Sequence, residues 1–183
     1  MVFFLLIIFS VVILATFKGK FLKSDRLVDE VPQTFSGIAP TPAVPGVDNW
    51  RDYRNLEQNY AFRYPKDWLV TPTLPSEPGT ISEAVLTSPT GLSVTVTVFS
   101  NENKLNSKQM ADKFVASYSA ELLERSELTL GGLEGERVVV ENRFGVVAVT
   151  KGEWTYRIVM SPYASGDNSN ELYSKILATF YFI

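Results

Sequence analysis

Glu134 and Glu136 are the residues of this chain whose spacing best suits acid–base chemistry. Two apart on a strand, they would project from one face roughly 7 Å apart, within the broad range of separations at which paired carboxylates cleave glycosidic bonds. Little else is available. The chain of 183 residues contains neither His nor Cys. A Ser-His-acid triad and a Cys-His pair are therefore excluded, and no Ser-x-x-Lys spacing supplies a lysine base instead. Gly131-Gly132-Leu133-Glu134-Gly135 has the glycine content of a phosphate loop without its strand-to-helix context, and reads as a tight connection between strands. The oxygen-rich run Ser165-Gly166-Asp167-Asn168-Ser169-Asn170-Glu171 offers ligands to calcium but lacks EF-hand spacing, and the same residues suit a helix N-terminus. Acidic pairs on exposed strand faces are ordinary. The expectation is no catalytic residue, no cofactor and no metal site.

Behind these residues the strand signals are strong. From Leu92 to Phe99, aliphatic residues alternate with hydroxyls, so one face packs inward and the other meets water or a thin cover. Ser88-Pro89-Thr90-Gly91 precedes it with Pro and Gly where a type I turn wants them, which makes residues 81–87 the other arm of a hairpin. Residues 136–141, 146–150 and 154–160 form three further runs separated by turns near residues 142–145 and at Lys151-Gly152, a meander. Trp154, Tyr156, Ile158 and Met160 share one face of the last run and bring enough aromatic area to anchor a core.

Two helices interrupt the strands. Asn106 can cap the first, with Gln109 returning the bond, and Met110, Phe114, Tyr118 and Leu122 then recur at helical spacing. The second starts near residues 167–169 and carries Leu172 and Ile176 on one side, with Tyr173 and Leu177 adjacent. Residues 179–183 close the chain as a strand. The fold class expected is α+β, an antiparallel sheet flanked by helices.

At the other end, residues 2–17 read VFFLLIIFSVVILATF without a charge and are followed by Lys18, Lys20, Lys23 and Arg26. Sixteen residues of helix cover about 24 Å, which reaches across a bilayer with help from snorkelling lysines and from Phe21 and Leu22 at the interface. The expectation is an uncleaved transmembrane anchor at 2–17. A cleaved signal peptide is the competing reading, with Leu14-Ala15-Thr16-Phe17 a weak cleavage site, and a soluble buried helix is the third. The basic residues all lie on the C-terminal side, which by the positive-inside tendency keeps the following domain in the cytoplasm. Against this stands the export-like character of the rest, and a chain opening Met1-Val2-Phe3-Phe4 has almost no n-region, which suggests a start further upstream. Residues 18–50 form a basic juxtamembrane segment and a linker carrying Pro32, Pro40, Pro42 and Pro45, which cannot bury a core and favours extended conformations. Trp50 and Tyr53 mark where the chain docks on a single globular domain at 51–183. Charges there are well mixed and mildly acidic, so nucleic-acid binding is excluded for want of a basic stripe.

Tyr60-Ala61-Phe62-Arg63-Tyr64-Pro65-Lys66-Asp67-Trp68 resembles the opening F-x-Y-P-x-x-W signature of the PsbP-like domains, and Leu177-Ala178-Thr179-Phe180-Tyr181-Phe182 resembles their closing helix-to-strand segment. The likeness covers residues 55–183, and the element order agrees. It implies an α/β sandwich built on an antiparallel sheet, a fold found in extrinsic subunits of the oxygen-evolving photosystem and in bacterial exported or membrane-anchored proteins. Metal sites on imidazoles in that family have no counterpart in a chain without His. Physically, Pro65 ends a strand and Trp68 plugs the core.

The function expected is a non-enzymatic, membrane-anchored, extracytoplasmic binding or assembly module. Its partners would be the lipid bilayer through residues 2–17 and a protein of the membrane or envelope. The alternatives are a subunit of a larger membrane complex, marked by an exposed aromatic patch drawn from Tyr53, Phe99, Phe144 and Tyr163, and a carboxylate-dependent hydrolase.

Overall fold

The computed structural model describes residues 43–74, 77–116, 124–140, 143–163 and 168–183. The anchor expected at 2–17 and most of the linker lie outside the described residues, as do Tyr118 and Leu122. No helix among the described residues is long and apolar enough to cross a membrane.

Among the described residues ten strands and two helices follow one another as β1 (Arg51–Asn55), β2 (Tyr60–Tyr64), β3 (Leu69–Thr73), β4 (Thr80–Thr87), β5 (Ser93–Ser100), α1 (Ser107–Ala116), β6 (Glu124–Leu130), β7 (Leu133–Val140), β8 (Phe144–Lys151), β9 (Trp154–Ser161), α2 (Asn168–Ala178) and β10 (Tyr181–Phe182). The single sheet expected from the sequence is two sheets. Seven strands pair antiparallel in the order β3-β4-β5-β9-β8-β7-β6, and three more in the order β1-β2-β10. The division falls at Pro65, which ends β2 by removing a donor, and at the turn closed by Trp68 N–H on the Pro65 carbonyl (3.1 Å).

The signals for local structure convert directly into bonds. Gly91 N–H donates to the Ser88 carbonyl (3.2 Å) at a φ of +87°, closing the β4–β5 hairpin. Asn106 Oδ1 accepts from Gln109 N–H, and Gln109 Oε1 accepts from Asn106 N–H, each at 2.9 Å, so the reciprocal cap of α1 is complete. Gly131 and Gly132 have φ of +56° and +85° and form the β6–β7 hairpin turn, as a two-residue loop with both central residues at positive φ requires.

Alternation along the large sheet produces two faces. Val94, Val96, Val98, Tyr156, Ile158, Met160, Val147, Val149 and Val139 point inward, onto the small sheet and α2. There, Phe180 stacks on Tyr60 (5.5 Å between centroids) and on Phe62 (5.6 Å), Tyr53 covers Phe62 (5.0 Å), and Tyr156 meets Tyr60 edge-on (5.7 Å). Trp68 and Val47 are also buried in this body. Tyr156 donates to the Gln58 carbonyl (2.8 Å), and burial pushes its phenol up to about 12, so it stays a donor at any ordinary pH. Thr179 Oγ1 accepts from Arg63 N–H (2.9 Å) and donates to the Ile176 carbonyl (2.7 Å), tying the end of α2 to β2.

The other face of the large sheet is covered by α1 over β7 and β8. The expected apolar stripe of this helix is rotated: Ala111 is its buried residue and packs with Val138 and Ala148, whereas Met110 and Phe114 are only half-buried. A methyl group lets the helix axis approach the sheet closely, which turns the two large side chains toward its flank. The closing strand is also shorter than expected, two residues paired with Tyr60 and Ala61.

Replacing Phe180 by Ala removes a ring packed against those of Tyr60, Phe62 and Phe182 and should destabilise the protein by about 3–5 kcal/mol in urea unfolding, whereas Asn106→Ala should cost about 1 kcal/mol. A Phe180→Ala loss no larger than that of Asn106→Ala would show that the stack does not join the two sheets.

Candidate functional site

The carboxylates singled out by spacing stand in different surroundings. Glu136 is buried on the α1 side of β7, with the Arg125 guanidinium 3.3 Å away, and Arg125 reaches on to Asp112 of α1 (2.7 Å). Glu134 stands exposed, its backbone carbonyl accepting from Ser107 Oγ (3.0 Å) at the start of α1. Glu136 is thus committed to holding helix and sheet together. A Cβ on Gly131 would come within 2.8 Å of the Phe182 ring, so this glycine serves packing as well as the turn.

In the calcium candidate, residues 165–167 lie outside the described residues and Asn168 to Glu171 form the first turn of α2. Glu171 pairs with Lys175 (2.8 Å), and that bond holds its carboxyl below the usual range. Among the described residues no three acidic side chains gather as a metal site would require. The four aromatic residues considered for a surface patch are dispersed. Tyr53 lies on the small sheet and Tyr163 is buried beside Tyr173 and Arg137, while Phe99 and Phe144 are half-buried on the α1 side of the large sheet.

That α1 side holds a cleft the sequence reading missed. β9 sends Thr155 and Arg157 outward, β8 adds Val146 and Ala148, β5 adds Phe99, α1 adds Met110, Lys113 and Phe114, and Glu77 arrives from the segment between β3 and β4. The cavity measures about 430 Å³. At its centre the Arg157 guanidinium carbon lies 4.7 Å from the centre of the Phe99 ring and 4.8 Å from that of Phe114. Its two terminal nitrogens donate to the two Glu77 oxygens at 3.0 and 2.6 Å, a planar fork on a planar carboxylate. Arg157 is only 12% exposed at its side chain, Glu77 49%. The guanidinium holds the Glu77 carboxyl below its ordinary range, a pull only partly opposed by burial.

Two polar atoms of the cleft are unpaired among the described residues. Arg157 Nε is one, and the other is Oγ1 of Thr155, a residue only 1% exposed. Buried hydroxyls are rarely left so. The only hint in the sequence was an arginine in the middle of an apolar strand, between Tyr156 and Ile158, with Thr155 and Val159 sharing its alternate face.

The architecture is that of a PsbP-like domain. Of the solved structures, the solution structure of cyanobacterial PsbP (CyanoP) from Synechocystis sp. PCC 6803 is similar at a TM-score of 0.54 and 15% identity, covering 82% of this chain and 98% of that one. A crystal structure from Bacteroides thetaiotaomicron VPI-5482 is looser, at a TM-score of 0.41 and 12% identity over 74% of this chain and 49% of that one. No family model and no curated protein matches the sequence. At 15% identity the likeness to the cyanobacterial PsbP shows the fold alone.

Because the folded carboxyl of Glu77 is depressed, its contribution to stability is present above the unfolded value, about 4.3, and is lost as the pH falls through the folded value. Glu77→Gln should therefore be less stable than the parent at pH 7, by no more than about 1 kcal/mol for so exposed a carboxylate. As the pH is lowered through the folded value the two should converge in urea unfolding. A deficit that stays constant as the pH falls would mean that the ion pair is not its source.

Proposed function

We propose that the protein is a binding or assembly module, anchored in a lipid bilayer through residues 2–17 and presenting its domain on the extracytoplasmic side, with a protein of the membrane or envelope as its partner. The observation that carries this reading is the composition of the cleft. Arg157, two aromatic rings and a buried hydroxyl recognise a shape and a charge, whereas none of the lining residues pairs a nucleophile with a base. The apolar run and the proline-bearing spacer support the tether, and the fold shared with a cyanobacterial PsbP supports a role without catalysis. The hydrolase alternative loses its acid–base pair once Glu136 is held by Arg125.

Membership of a larger membrane complex has one observation of its own. Leu74 is 90% exposed and Ile81 38% exposed, on the two sides of the connection between β3 and β4. Apolar side chains so placed suit a protein contact.

Protease added to intact cells, or to cells stripped only of an outer envelope, should cut a chain tagged after Ile183. Cutting only after lysis would place the domain in the cytoplasm. A photo-crosslinking residue at position 74 should give one discrete adduct in living cells, and none at either 74 or 81 would remove the assembly role.

A further inference from the structure

Glu77 occupies Arg157 in the way a ligand carboxylate would. It belongs to the connection between β3 and β4, is half-exposed, and meets the guanidinium through both oxygens. A change of side-chain rotamer there uncovers the fork without moving a strand. Beneath the fork, the cavity is large enough for a small organic molecule and is walled by Phe99, Phe114 and Met110. Two residues before Arg157 on the same face of β9, the buried Thr155 hydroxyl is unpartnered and lines the same cavity. Strand geometry sets these two positions roughly 7 Å apart, within the span of one small ligand. Among the described lining residues, two cations, Arg157 and Lys113, face one carboxylate, so the charge balance favours an anion.

We propose that this cleft is a binding site for a small carboxylic acid with a compact apolar body, aromatic or branched. Its carboxylate replaces Glu77 on the Arg157 fork, its body lies along the Phe99 and Phe114 walls, and a polar substituent meets Thr155. Glu77 is the internal competitor that closes the site when the acid is absent. The carboxylate class follows from the planar fork, which Glu77 already matches with both oxygens. The inference rests on the binding-module reading above and gives it a ligand class.

The test uses the full chain in lipid nanodiscs and the probe 3-(4-fluorophenyl)propionate, followed by fluorine NMR line broadening against empty discs, with the corresponding amide as neutral control. The acid should bind and the amide should not. Glu77→Gln should bind the acid about tenfold more tightly, the factor by which a site closed for nine-tenths of the time loses apparent affinity. Thr155→Val should leave this probe unaffected, since it carries no group for the hydroxyl, and should weaken its displacement by the fluorine-free analogue 3-(4-carbamoylphenyl)propionate. Arg157→Met should abolish acid binding, and Glu77→Gln keeps the test informative if that variant does not fold. Equal binding of acid and amide overturns the proposal, as does a Glu77→Gln affinity equal to the parent's or no broadening in either protein. A discrete adduct at position 74 together with no probe binding removes the ligand and leaves the module. Probe binding by a domain found to be cytoplasmic keeps the ligand and removes the extracytoplasmic reading.

Discussion

The register of β9 governs both the stability of the molecule and its chemistry. This strand lies inside the large sheet, between β5 and β8, and its alternate residues belong to different structures. Tyr156, Ile158 and Met160 are buried in the core, whereas Thr155 and Arg157 line the cleft. A slip of one residue would put a guanidinium into the core and a tyrosine on the opposite face. The eight-residue pairings with β5 and the seven with β8 oppose such a slip. So does the Tyr156 hydroxyl, which has to reach the Gln58 carbonyl in the turn between β1 and β2.

A charge this sheltered needs compensation from several directions. Two ring faces and a carboxylate surround the Arg157 guanidinium, and each offsets part of the water it has lost. The rings come from β5 and α1, so the position of the helix and the comfort of the cation are linked. Ala111 sets how near α1 sits, and Phe114, braced edge-on by Phe144 (5.8 Å), then lies over the guanidinium. Ser107 fixes the other end of the helix by accepting from Thr150 N–H (3.2 Å). Among the described residues the helix lies over β7 and β8, and its Met110 and Phe114 form one wall of the cleft.

Local structure was legible in the sequence wherever one residue type decides it. The alternation of β5, the Asn106–Gln109 cap, the Ser88–Gly91 turn and the Pro65 break each depend on residues within a few positions of one another. Three strands escaped: β1 carries Arg51, Asp52 and Arg54, β3 contains Pro72, and β6 carries Glu124, Arg125 and Glu127 among few apolar residues, which masks their alternation. All three lie at edges of their sheets, where partners on one side suffice and where prolines and charges discourage further pairing. Division into two sheets was not legible, because Pro65 says that a strand ends without saying where the next one pairs. The cleft was hidden for a related reason. Glu77, Phe99, Phe114 and Arg157 are scattered over eighty residues, and only the fold makes them neighbours.

The small sheet joins an early strand to a late one. Arg63 and Thr179, bonded to each other, are 116 residues apart in the chain. At ribosomal rates that separation is roughly 6 to 23 s of synthesis. Throughout that interval Tyr60 and Phe62 exist without Phe180, so a newly made aromatic strand waits with its ring faces bare. The cell has to keep that strand from foreign partners until its own arrives, and this body cannot be completed before Phe180 is made, whatever the meander has achieved before it.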